Sequence, residues 1–227
     1  MALPGPLAGF LLIINGIIGF YISLLIYRRN PSEYLNRLIS IAMVAFSCYL
    51  FFRGVIFALP LSMFAIFDLF RDLSLSGAVF AALFAALSGF YVWKGLDFIK
   101  QKYVYGTFLG LTIISLILGV FFDAVVYNEQ TDIINNQFTH PIGLIGVFII
   151  PLLLMGAAVV AYVQTFLTID KDNPMYRKAL ILPVGLIVIT LGIIYGTIMA
   201  AMGYPPIAIL GDIFYITGSL LLFIAFR

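Results

Sequence analysis

The sequence predicts an all-α membrane protein: a single domain over residues 1–227, folded as a seven-transmembrane-helix bundle with its N-terminus outside and its C-terminus cytoplasmic. Three observations carry this. Of the 227 residues, 63% are hydrophobic and only 10% charged, where a water-soluble domain needs about a quarter charged to cover its surface. The apolar residues fall in seven long runs, each close to the roughly 20 residues that a helix needs to cross a hydrocarbon core about 30 Å thick. The basic residues lie almost entirely on one side of those runs.

The first span, 7–27, follows MALPGPL, which has no basic residue; a cleaved signal peptide carries one there, so this span is expected to be retained. The loop 28–37 brings Arg28, Arg29 and Arg37, and its Asn30-Pro31-Ser32-Glu33 predicts a helix start, with Asn30 as cap and Glu33 reaching back to it. The second span, 38–59, contains Arg53. The third is 73–93 and the fourth 104–126, with Lys94, Lys100 and Lys102 between them. The polar stretch 127–140 predicts a surface loop ending at His140, read as solvated or as a local cap. The fifth span is 141–167. Lys171, Arg177 and Lys178 separate it from the sixth, 177–202, before which Asn173-Pro174 repeats the start signal. The seventh is 205–226, and Arg227 follows it.

Ten of the twelve basic residues thus share one side; Arg71 alone lies in a loop on the other, and Arg53 lies within a span. Basic loops stay in the cytoplasm, which sets the orientation. Tyr27, Tyr34, Tyr91, Trp93, Tyr103 and Tyr105 fall at the inner interface, Tyr127 and Tyr204 at the outer one. Gly185, Gly192, Gly196 and Gly203 share a face of the sixth helix, and Gly106 and Gly110 form a small-xxx-small pair in the fourth. Both predict close helix contact inside the bundle, with a homodimer face as the sharper alternative. Pro151 and Pro183 are expected to kink the fifth and sixth helices.

Polar residues within the spans mark the candidate site. At about 1.5 Å per residue, Arg53 lies roughly 8 Å below the outer edge, Asp212 roughly 10 Å, Asn15 about 12 Å, and Asp123 within about 5 Å. Tyr195, Thr197 and Tyr215 occupy the same outer half. A guanidinium stays charged and costs about 2.5–3.5 kcal/mol at mid-membrane, so it must find a partner. Two readings stand: an outward-facing ligand pocket built on Asn15, Arg53, Asp123, Tyr195, Asp212 and Tyr215, or a structural arrangement in which an Arg53–Asp212 pair fixes helix packing, Arg53 snorkels and Asp123 sits at the interface.

Other chemistry is missing. The net charge of +2 gives no reason to expect nucleic acid as a partner. One cysteine, Cys48, and one histidine leave no disulfide and no metal site, and no cofactor is expected. No P-loop or nucleophile elbow occurs, and 205–226 has no lysine for a retinal Schiff base. The protein is therefore read as a non-enzyme. FFDAVVY (121–127) and LGDIFY (210–215) loosely resemble the two aspartate motifs of presenilin-type intramembrane proteases. Ile209 departs from that pattern, and the two helices are not consecutive.

YRRNPSEYLNRLISIAMVAFSCYLFF (27–52) and NPMYRKALILPVGL (173–186), with Pro205, Pro206 and a last helix ending in Phe-Arg, resemble in their order the N-terminal seven-helix sensor region of prokaryotic histidine kinases. The resemblance covers the whole chain. It implies a sensory, receptor-like module of the cell membrane that binds a small molecule or lipid in its outer half. No phosphoacceptor or ATP-binding segment is expected from the sequence, so the signal would pass to a cytoplasmic or membrane protein partner. The alternatives are a small SWEET-like transporter with two three-helix repeats and an accessory subunit of a membrane complex.

Overall fold

A computed structural model describes residues 5–128, 133–173, 176–201 and 210–226. They form a helical bundle capped at one end by a β-hairpin. The main helices are α1 (Gly5–Arg29), α2 (Tyr34–Ala58), α3 (Phe67–Lys94), the short α4 (Leu96–Ile99), α5 (Lys102–Phe122), the single turn α6 (Ile142–Leu144), α7 (Ile150–Thr168), α8 (Tyr176–Ala201) and α9 (Leu210–Phe226). A 3-10 turn (Leu61–Ile66) precedes α3, and a π-helical turn (Ile145–Ile149) joins α6 to α7. Among the described residues, five helical segments are long and apolar enough to cross a membrane: Gly9–Arg29, Tyr34–Ala58, Phe67–Lys94, Lys102–Phe122 and Ile142–Thr168. The protein is a multi-pass membrane protein. The described apolar stretches of α8 and α9, Ala179–Tyr195 and Ile213–Leu222, are shorter.

Neighbouring helices pack in chain order. The chain runs α1–α2–α3, crosses to α7, continues α8–α9, and α9 touches α1. The pairs α1/α2, α2/α3 and α8/α9 are antiparallel, while α3 and α7 run side by side in the same direction. Glycines set the spacing where backbones meet. A Cβ on Gly9 would lie 2.6 Å from the Gly54 carbonyl oxygen, and one on Gly77 would lie 2.6 Å from that of Ala45. Small residues drive such contacts in lipid, where apolar burial between helices gives no net gain over burial in acyl chains. Gly185 and Gly192 meet α9 at Gly218 and Gly211 as the sequence predicts. Gly203 lies outside the described residues.

Several expectations are corrected. The Gly106–Gly110 pair has nothing within 4 Å, because α5 lies at the edge of the bundle, against α3 and the π turn. Asn30 does not cap α2. Glu33 holds the N-cap position without a side-chain bond, and Asn30 instead organises the preceding turn, taking hydrogen bonds from Ser32 Oγ (2.7 Å) and from the Glu33 amide (3.2 Å). The third helix begins at Phe67, six residues before its apolar run, so Asp68, Arg71 and Asp72 belong to its first turns.

The fourth span ends at Phe122. Asp123–Asn128 then pairs antiparallel with Ile133–Phe138, from Asp123 opposite Phe138 to Asn128 opposite Ile133. Val125, Val126 and Tyr127 favour a strand, and pairing satisfies backbone groups that a helix would otherwise hold. His140 acts as a local cap, its Nδ1 accepting the Ile142 amide at 3.2 Å.

The π turn runs directly into Pro151. In π register residue i donates to residue i−5, as Ile150 does to Ile145. Proline cannot donate, so the Gly146 carbonyl loses its partner. Ser115 of α5 donates to that carbonyl instead.

Candidate functional site at the hairpin end

Two polar clusters lie toward the hairpin end. Arg53 is answered first within its own helix: Nη1 donates to the Tyr49 hydroxyl at 3.2 Å. Residues four apart share a helix face. The guanidinium carbon also lies 5.8 Å from the ring centres of both Tyr49 and Phe57, within reach of a cation–π attraction.

The Tyr49 hydroxyl is 3.1 Å from that of Tyr215 on α9. The two rings stand edge to face, centres 5.8 Å apart at 85°, and Phe46 completes an aromatic trio with Tyr215 at 6.1 Å. Ser74 of α3 donates to the Tyr49 carbonyl at 3.0 Å. Arg53, Tyr49 and Tyr215 therefore form a hydrogen-bonded row from α2 to α9, braced by α3.

The second cluster centres on Arg71, which is buried although the sequence places it in a loop. It bonds Asp72 twice, through Nε at 3.1 Å and Nη2 at 2.5 Å. Its Nη1 stands 3.7 Å from Asp68 Oδ1 and 3.8 Å from Asp123 Oδ2. The Asp123 side chain is 1% exposed and that of Asp68 58%. The Asp123 side chain is thus covered by the protein itself. The hairpin begins at this residue, and burial beside a guanidinium is what a carboxylate requires away from water.

Of the predicted site residues, the structure joins Arg53 with Tyr215 through Tyr49, and sets Asp123 apart with Arg71. Asn15 is buried on α1, and its Nδ2 has no hydrogen-bond partner among the described residues. Tyr195 packs its ring 6.1 Å from that of Phe214. Asp212 falls within α9 and Thr197 within α8, but the side chains of both, and with them the expected Arg53–Asp212 pairing, lie outside what the structure describes. Sequence reasoning missed Tyr49 and Arg71. The spacing of four from Arg53 was a signal for Tyr49. For Arg71, the Asp68 three residues earlier was a signal that the helix had already begun.

The arrangement holds polar groups at the end of an apolar bundle and can present hydrogen-bond donors and charges to a ligand. Asp123 faces a cation. No protein-family profile matches the sequence, and no curated protein matches it.

Proposed function

We propose that this chain is a sensory, receptor-like module that spans the cell membrane seven times, with the hairpin end outside and the basic end cytoplasmic. A small molecule or lipid binds at the hairpin end, and a protein partner reads the change at the other. The observation that carries this reading is the Tyr49–Tyr215 contact, with Arg53 donating to Tyr49. It is a polar junction between two apolar helices, α2 and α9, toward their hairpin ends. Both helices run on from it to the basic end, so making or breaking the junction changes how α9 leans on α2. A two-state element of this kind is what a receptor needs.

The test needs no ligand. Spin labels at positions 34 and 224 report the distance between α2 and α9 at the basic end, in the full chain with Cys48→Ser, reconstituted in lipid. Tyr215→Phe and Arg53→Met are expected to shift that distance distribution. Distributions unchanged in both variants overturn the reading. Orientation is checked separately by cysteine labelling: a cysteine at position 100 reacts only from the cytoplasm and one at 139 only from outside.

One observation favours a transporter as the second reading. The triplets α1–α2–α3 and α7–α8–α9 each pack consecutively, and the contacts α3/α7 and α9/α1 close them into a ring. Such an order suits two parallel repeats related about an axis along the membrane normal. Uptake into proteoliposomes separates it from the first reading.

A further inference from the structure

The turn that joins α3 to α5 carries charge without a countercharge. α3 ends at Lys94, and Gly95, at φ 86°, breaks the helix in a conformation that glycine takes readily. The chain then makes the single turn α4 and starts α5 at Lys102. Phe90 holds the three segments together: its ring centre lies 5.7 Å from those of Trp93 and Phe98 and 5.6 Å from that of Phe108. Ile99 is buried in this corner, while Lys94, Asp97, Lys100 and Lys102 are all exposed. Among the described residues none of the three lysines makes an ion pair. Three lysines against one aspartate leave residues 94–103 with a net charge of +2.

The other basic segments at this end are more fully engaged. In residues 28–37, Arg37 gives its Nε proton to the Pro31 carbonyl at 2.6 Å. Lys171 stands between Asp170 and Asp172. The α3–α5 turn also holds Trp93, the one tryptophan of the chain. Lys94 Nζ lies 4.1 Å from its ring centre, and Tyr103, next to Lys102, is 70% exposed. Tryptophan and tyrosine settle at the level of the lipid headgroups. A cation–π contact attracts the ammonium to the ring but gives its N–H groups no oxygen acceptor. At headgroup level in a bilayer, the groups that bring both negative charge and acceptor oxygens are the phosphates of anionic lipids, which basic side chains at a membrane boundary attract.

We propose that the α3–α5 turn is a docking site for the headgroup of an anionic phospholipid, of the phosphatidylglycerol class. Lys94, Lys100 and Lys102 supply the charge, and Trp93 fixes the depth. The site is separate from the hairpin-end clusters and stands whether or not the receptor reading holds, and whichever side of the membrane the basic end faces.

The test reads Trp93 fluorescence from the full chain, reconstituted in phosphatidylcholine bilayers with a minor share of phosphatidylglycerol. Bromine on the acyl chains of one lipid or the other quenches a neighbouring tryptophan, and the chain has no second tryptophan to confuse the signal. Phosphatidylglycerol is expected to be enriched beside Trp93 roughly five-fold or more over its mole fraction, the preference that one lysine near the headgroups provides. Lys100→Gln and Lys102→Gln are each expected to lower that enrichment, while the Lys94–Trp93 contact stays in place. Lys171→Gln, at an exposed lysine of the same end, is expected to leave it unchanged. Quenching by phosphatidylglycerol in proportion to its mole fraction in the wild type overturns the proposal. So does a loss in Lys171→Gln equal to that in Lys100→Gln, which would mean a diffuse field over the whole basic end. The wild-type measurement stands by itself, and both substituted lysines of the turn are exposed, so the fold does not rest on them.

Discussion

Arg71 Nη1 stands 3.8 Å from Asp123 Oδ2, and both side chains are at least nine-tenths buried. The pair ties the first turns of α3 to the residue where α5 gives way to the hairpin. Two charges brought together in such a place gain most of their worth from each other's presence.

Removing the cation from beside Asp123 is therefore expected to be severe. Arg71→Met should lower stability by about 3–5 kcal/mol, the usual cost of breaking a buried pair. Asp123→Leu in the same chain should recover part of that loss. Unfolding in detergent of the two single variants and the double variant measures the coupling, and simple additivity would show that the contact contributes nothing.

Tyr215→Phe deletes one hydroxyl from the row Arg53–Tyr49–Tyr215. Hydrogen bonds between membrane helices average about 0.6 kcal/mol and reach about 1.7 kcal/mol, so a loss in that range is expected. Tyr49→Phe removes partners of both Arg53 and Tyr215 and should cost more. The order of the two thermal midpoints checks this; Tyr215→Phe as the more damaging change would contradict it.

Glycines with and without neighbours should respond in opposite ways. At Gly54 a Cβ would meet the Gly9 carbonyl oxygen at 2.6 Å, so Gly54→Ala forces α1 and α2 apart and is expected to cost about 1–3 kcal/mol. At Gly110 nothing lies within 4 Å. Gly110→Ala should be neutral or stabilise by up to about 1 kcal/mol through helix propensity alone. Equal losses at the two sites would mean that α5 has a partner at this face.

Pro151 and Ser115 should be coupled. Ser115→Ala deprives the Gly146 carbonyl of its donor and is expected to cost about 1–3 kcal/mol. In a Pro151→Ala background the restored amide can serve that carbonyl, and the same serine substitution should cost less. A double-mutant cycle followed by thermal unfolding reads the difference, and an identical serine effect in both backgrounds would separate the π turn from the proline.

The fate of particular residues shows what was legible in the chain. Gly185 and Gly192 were readable as a packing face because helical spacing alone brings them into line, and α9 meets them there. Gly106 and Gly110, four apart, also share a helix face yet have nothing within 4 Å, since a small-residue stripe says where a helix can be approached but not whether one arrives. Arg71 was hidden for another reason. Apolar periodicity dates the start of a helix from its first apolar run, whereas α3 starts with Asp68 in its first turn.

The sequence by itself determined that this is a helical membrane protein, where its main apolar helices run, and that charges such as Arg53 need partners within the bundle. Those conclusions follow from the cost of polar groups in hydrocarbon and from the rise of a helix, both of which are local properties of a chain. Which groups become those partners was decided only by tertiary structure. Tyr49 meets Tyr215 across 166 positions, and Arg71 meets Asp123 because α3 packs beside the foot of the hairpin. Hydrogen bonds and ion pairs act over about 3–4 Å, a range within which the sequence alone does not say which helices come together.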